Sequence, residues 1–187
     1  MHNVDLMGVP FMLPLIKINE DTRIAVFDSL SNPRMAELAT KELIHKLTKE
    51  KFKFDVVLTA ESKGIPFGMG VANYFNKDLV VLRKSSKPYF SKPFEVSSDT
   101  YTSKGTSKLY TDMALKSTLQ GKRILVVDDV ISTGSSLKAM QQVISEFEAE
   151  YAGAIAVFAE GDASSRTDIL FIHSLPLFNL DGSVKNS

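Results

Sequence analysis

The sequence predicts an α/β fold: a mostly parallel, twisted sheet with helices on both faces. Three observations lead there. Short apolar runs (Val56-Val57-Leu58, Leu79 to Leu82, Ile124 to Val127, Ala154 to Phe158) have the composition of strands buried on both faces. They alternate with stretches of helical period, the pattern that builds a parallel sheet through crossover helices. Three of the runs end in polar clusters, Glu61-Ser62-Lys63-Gly64, Arg83-Lys84 and Asp128-Asp129. In a parallel sheet the carboxyl ends share one edge, and open α/β sheets bind their ligands there.

Residues 1–30 carry Pro10, Pro14 and two short apolar runs, Phe11 to Leu15 and Ile24 to Phe27, which read as a loop and two short strands. After Asn32-Pro33, the residues Met35, Leu38, Ala39, Leu43, Ile44 and Leu47 recur at helical spacing. Lys41, Lys46, Lys49, Lys51 and Lys53 form a basic run, read as a solvated face. Asp55 to Ala60 is the next strand, and a helix from about Pro66 to Phe75 follows its polar end. Gly68 and Gly70 lie inside that helix and not in the strand–helix turn, so they make no dinucleotide fingerprint.

Leu79 to Leu82 ends in Arg83-Lys84, with Lys87 close behind. From about residue 85 to 118 no period is sustained, and Ser, Thr, Lys and Pro are frequent. So long a connection in a compact domain reads as an active-site lid, flexible, with Thr100 to Tyr110 as a mobile hairpin and Lys104-Gly105 near its tip. Ile124 to Val127 leads into Asp128-Asp129 and then Ser132-Thr133-Gly134-Ser135-Ser136, which opens a helix marked by Leu137, Met140, Val143, Ile144 and Phe147. Ala154 to Phe158, ending in Glu160-Gly161-Asp162, and Ile169 to Ile172 are the last strands, with Leu175 to Leu180 as an edge segment.

A chain of 187 residues, 44 % hydrophobic and 24 % charged, suits one globular domain. With 22 basic and 22 acidic side chains the net charge is zero, so no global field draws it to nucleic acid or membrane. The chain has no cysteine, which removes disulfide and thiolate chemistry. His2, His45 and His173 lack metal-ligand spacing. No basic segment leads into a long apolar run at the N-terminus, and no stretch approaches the roughly 20 apolar residues of a membrane span. The expectation is a cytoplasmic protein with no nucleic-acid or membrane partner.

The stretch from Ile124 to Leu137 carries the chemistry. A turn of small, hydroxylated residues opening a helix offers converging N–H groups, hydroxyls and a positive dipole end, which suit a phosphate. Two carboxylates directly before it suit neighbouring hydroxyls or a bound cation, and a sugar phosphate satisfies both. The plainer alternative is that Asp128 and Asp129 cap the helix and Thr133-Gly134 makes a turn.

The whole string Ile124 to Leu137 resembles the signature of the type I phosphoribosyltransferases, which bind phosphoribosyl pyrophosphate (PRPP). Ala60-Glu61-Ser62-Lys63-Gly64 resembles the family's pyrophosphate loop as it stands in adenine and xanthine phosphoribosyltransferases, with lysine where many members have arginine. The resemblance covers about residues 24–175 and implies a single domain over 1–187. A base-binding hood would come from about 1–28 and 158–187, and a lid from about 85–118. It implies transfer of 5-phosphoribosyl from PRPP to a purine base in purine salvage, giving a nucleoside monophosphate and pyrophosphate.

Carried over residue by residue, Asp128 and Asp129 hold the ribose hydroxyls and, through PRPP and water, Mg2+. Ser132, Thr133, Gly134, Ser135 and Ser136 hold the 5′-phosphate. Glu61, Ser62, Lys63, Gly64, Arg83, Lys84 and Lys87 serve the pyrophosphate, and Phe27 and Phe158 are candidates to stack on the base, with core packing as their alternative. The related enzymes are commonly homodimers. Adenine is favoured, with xanthine, guanine/hypoxanthine, or a non-catalytic PRPP-binding regulator as alternatives. The lid departs from the adenine enzymes. Placing Gly105 on the lid glycine puts Ser103 where they commonly carry glutamate, and no acid lies between Thr100 and Tyr110. That Thr/Ser/Gly lid is more similar to those of xanthine phosphoribosyltransferases and purine-operon repressors. The repressors carry an N-terminal DNA-binding domain, for which the strand-rich core starting near Ile24 leaves no room.

Overall fold

The computed structural model describes residues 1–98 and 107–185. In chain order these are β1 (His2–Leu6), β2 (Val9–Leu13), β3 (Leu15–Lys17), β4 (Arg23–Ala25), α1 (Pro33–Lys49), β5 (Val56–Ala60), α2 (Ile65–Phe75), β6 (Asp78–Leu82), β7 (Pro93–Ser98), β8 (Ser107–Asp112), α3 (Lys116–Leu119), β9 (Arg123–Ile131), α4 (Ser135–Glu146), β10 (Glu150–Glu160) and β11 (Leu170–Leu175).

Five strands form the central sheet in the order β11-β10-β9-β5-β6, and each neighbouring pair is parallel. The apolar runs are buried on both faces, so their alternate side chains feed two cores. Val57, Leu125, Val127, Ile155 and Val157 face α1, α2 and the N-terminal strands. Val56, Leu58, Ile124, Val126, Ala154 and Ala156 face α4, Val96 of β7 and Leu109 of β8. α1 starts where Asn32 caps it, its side chain accepting the Met35 N–H at 3.0 Å ahead of Pro33 in the first turn.

The amino-terminal region holds more structure than a loop and two strands. β1 pairs with β2 and β3 with β4, both antiparallel. The carboxyl-terminal segment reaches this region through Phe178, which exchanges backbone hydrogen bonds with Arg23 at 2.8 and 3.0 Å. Within the stretch expected as a lid with a hairpin over Thr100 to Tyr110, β7 and β8 pair antiparallel in register from Pro93↔Asp112 to Ser98↔Ser107, so the pairing begins earlier in the chain than expected, in β7. Its period of two, with Phe94 and Val96 inward against Glu95, is the signal a search for helical period passes over. The Lys104-Gly105 tip and Ser103 lie outside the described residues. Among the described residues, no helix is long and apolar enough to cross a membrane.

Candidate active site

The polar clusters meet because of where the ladders stop. β9 pairs with β5 only from Val56↔Ile124 to Leu58↔Val126, but with β10 as far as Ile131↔Ala159. Asp128 and Asp129 therefore lie within β9, Asp128 opposite Ala156, just past the point where β5 leaves the ladder. Sequence reading ended the strand before them; they continue it, and so they are not the caps of α4. The chain leaving β5 folds over the pair as Glu61–Gly64. A cavity of about 230 Å³ is lined by Glu61, Ser62, Lys63, Gly64, Lys84, Asp128, Asp129 and Ser136. A second hollow of about 110 Å³ runs along Ser132 to Leu137 and shares Asp128, Val130 and Ser136 with the first.

Gly64 allows the loop to close this tightly. A Cβ there would run into Thr59 Oγ1 and sit 3.1 Å from Asp128 Oδ1. The loop also contains a cis peptide bond between Glu61 and Ser62. Lys63 Nζ donates to the Phe27 carbonyl at 2.9 Å, which holds its charge beside the carboxylates. Asp128 is buried, and desolvation together with the neighbouring Asp129 charge raises its pKa well above the carboxylate range. Burial raises Asp129 as well, opposed by hydrogen bonding from Asp128 and by the Lys63 charge. Asp128 Oδ1 also accepts the Asp129 N–H at 2.9 Å. A positive charge or hydroxyl donors brought to this pair would favour its ionised form.

Ser132 to Ser136 forms the expected turn. Gly134 takes φ +77° at the start of α4; the Ser135 N–H donates to Thr133 Oγ1 at 3.4 Å, and the N–H groups that follow in the first turn have no side-chain cap from Gly134. Thr133 Oγ1 donates to Ser135 Oγ at 3.2 Å. Glu160, at the end of β10, has its carboxyl raised by burial and lowered by a hydrogen bond with Ser132.

Several of the expected site residues also make contacts within the protein. Glu61 is a clasp: it accepts from Arg83 Nη2 at 2.8 Å and from the Lys84 N–H at 2.7 Å, joining its loop to the end of β6. Arg83 pairs with Glu61 and stands outside the cavity lining, which Lys63 and Lys84 share. Lys87 is also absent from the lining and donates to Ser85 Oγ at 3.0 Å. Phe27 and Phe158 are 2 % and 0 % exposed and pack edge to face with ring centroids 4.9 Å apart. They are core, and neither offers a ring face to a base. Leu109 of β8 lines the cavity and was not singled out from sequence.

A family model described as a phosphoribosyl transferase domain matches residues 28–176. The adenine phosphoribosyltransferase of Agathobacter rectalis is 35 % identical over 115 residues, which are 61 % of this chain and 62 % of that protein. The purine biosynthesis transcriptional repressor PurR of Bacillus subtilis is 32 % identical over 111 residues, 58 % of this chain and 38 % of the repressor. The chain thus spans less than two thirds of either relative. A crystal structure of adenine phosphoribosyltransferase from Thermoanaerobacter pseudethanolicus has the same fold, with TM-score 0.72 at 20 % identity over 87 % of this chain and 95 % of that one.

Proposed function

Because the chain belongs to the phosphoribosyl transferase domain family, we propose that it transfers the 5-phosphoribosyl group of PRPP to a purine base, adenine first, releasing pyrophosphate. The observation that carries this reading is the pair of adjoining hollows with Asp128 between them. One is built from hydroxyls and the N–H groups that open α4, the other from lysines and a loop that ends in Gly64. A ribose carrying phosphate at one end and pyrophosphate at the other matches that arrangement.

In the reaction the C1–O bond to pyrophosphate breaks, the oxygen keeping the electron pair, a C1–N bond to a ring nitrogen forms, and the proton of that nitrogen passes to water or the departing pyrophosphate. Negative charge grows on the leaving pyrophosphate, where Lys63, Lys84 and the loop N–H groups stabilise it. Asp128 and Asp129 accept from the ribose hydroxyls and favour positive charge on the ring. Their carboxylates suit Mg2+ held through PRPP and water. The described residues gather no group of three or more His, Cys, Asp or Glu, and magnesium characteristically takes one or two carboxylates and keeps water. Bound there, it would neutralise pyrophosphate charge.

Similarity to PurR favours one second reading, a PRPP-binding regulator that keeps the site without turnover. Pyrophosphate release from PRPP and Mg2+, screened with adenine, guanine, hypoxanthine, xanthine and orotate, separates the two. Release with adenine is expected. Release with another purine moves the specificity, and silence with all five beside calorimetric PRPP binding selects the regulator.

A further inference from the structure

The hollow along Ser132 to Leu137 has a charge problem. Its lining includes Asp128 but no lysine or arginine, so a phosphomonoester dianion there would rest on hydroxyls and N–H groups beside a carboxylate. The segment after β10 brings a cation to this turn from outside the lining. A short 3-10 turn, Gly161–Ser165, is followed by Arg166, whose N–H donates to the Ala163 carbonyl at 3.2 Å. Arg166 Nε and Nη2 donate to the two carboxylate oxygens of Asp168 at 2.9 and 2.7 Å. That fork fixes the guanidinium plane and leaves Nη1 turned toward the phosphate turn. A Cβ on Gly134 would lie 2.6 Å from Nη1 and 3.8 Å from Cζ, so the guanidinium fills the space where any other residue would place its side chain. The Asp168 side chain is 59 % exposed and that of Arg166 is 29 % exposed. Water therefore screens the carboxylate while the guanidinium faces the protein.

We propose that Arg166, oriented by Asp168, is a further binding residue of the site and holds the 5′-phosphate of PRPP from the Gly134 side. This rests on the function proposed above. Arg166 is a binding residue and Asp168 a positioning residue, since Asp168 acts only through the fork. Gly134 is then required twice, for its positive φ and for the room it leaves.

Calorimetry with ribose 5-phosphate and with Mg2+ and PRPP, alongside pyrophosphate-release kinetics, tests this on wild type, Arg166→Gln, Arg166→Lys and Asp168→Asn. The expected result for Arg166→Gln is ribose 5-phosphate affinity and KM for PRPP both weakened roughly tenfold or more, with kcat within about threefold. Arg166→Lys recovers part of the loss because the charge is kept, and Asp168→Asn shifts KM in the same direction by less. Unchanged ribose 5-phosphate affinity in Arg166→Gln would overturn the assignment. So would a lysine variant no better than the glutamine one, or a loss confined to kcat. Wild type that binds no PRPP would overturn the proposed function itself, a separate outcome visible before any variant is made.

Discussion

Burial of Asp128 costs stability wherever its carboxyl would ionise. Its folded pKa lies above the unfolded value of about 3.9. The unfolded chain releases that proton first, so the native state binds more protons across the window between the two values. Stability therefore falls as pH rises through that window. Asp128→Asn removes the term. In the ligand-free state the variant should melt above wild type at pH 8, with the gap closing toward pH 4; a lower melting temperature at pH 8 would contradict the assigned burial. Gly64→Ala has the opposite character. The added methyl group meets Thr59 and Asp128, and overpacking of this kind costs roughly 1–3 kcal/mol. Thermal melts should show the loss, and PRPP binding should weaken with it. At this scale the meeting of Asp128, Asp129, Lys63 and the Ser132–Ser136 turn at one sheet edge was legible, because parallel strands bring their polar carboxyl ends together. The clasp of Glu61 on Arg83 was not, since ion-pair choice between residues 22 apart depends on how two loops approach.

For the secondary-structure elements, α1 offers a local test. Asn32→Ala removes the side-chain acceptor of the Met35 N–H. Loss of such a cap costs about 1 kcal/mol, seen as a drop of about 2–4 °C in Tm for a chain of this size. Long periodic elements were readable: α1, α2, α4 and the five central strands all stand where apolar spacing put them, within a few residues at each end. β9 ran longer than its apolar run because pairing with β10 continues past Val127. Tertiary context decided that, as polar residues are acceptable where one neighbouring strand has already left. The hairpin was expected over Thr100 to Tyr110, but its first strand, Pro93–Ser98, was not marked. Its strands are short and polar on one side, and Val96 and Leu109 are buried only because the second core lies beneath them.

Across the whole molecule, one sheet divides two cores, and the ligand edge is held from both sides. The first core includes Phe27, Phe67 and Phe158, with Phe27 and Phe67 stacked at 5.8 Å between ring centroids. An aromatic near a candidate base site invites a functional role, yet sequence does not record depth, and these rings are spent on packing. Phe158→Leu should lower stability by about 1–3 kcal/mol while leaving KM for the base within about threefold. A large KM change with an unchanged melt would restore the stacking role. His173 Nε2 and Glu42 Oε2 lie 2.9 Å apart, and Glu42 Oε1 accepts the Met7 N–H at 2.8 Å. One carboxylate thus joins β11, α1 and the first hairpin across the face opposite α4.

The central claim is that Asp128 and Asp129 form the centre of a PRPP site. Pyrophosphate release from PRPP and Mg2+ with adenine, compared between wild type and the Asp128→Asn/Asp129→Asn double variant, tests it most directly. The account predicts release by wild type and a loss of at least about 100-fold in the double variant, with an unchanged circular dichroism spectrum. Near-normal release by the folded double variant would contradict it.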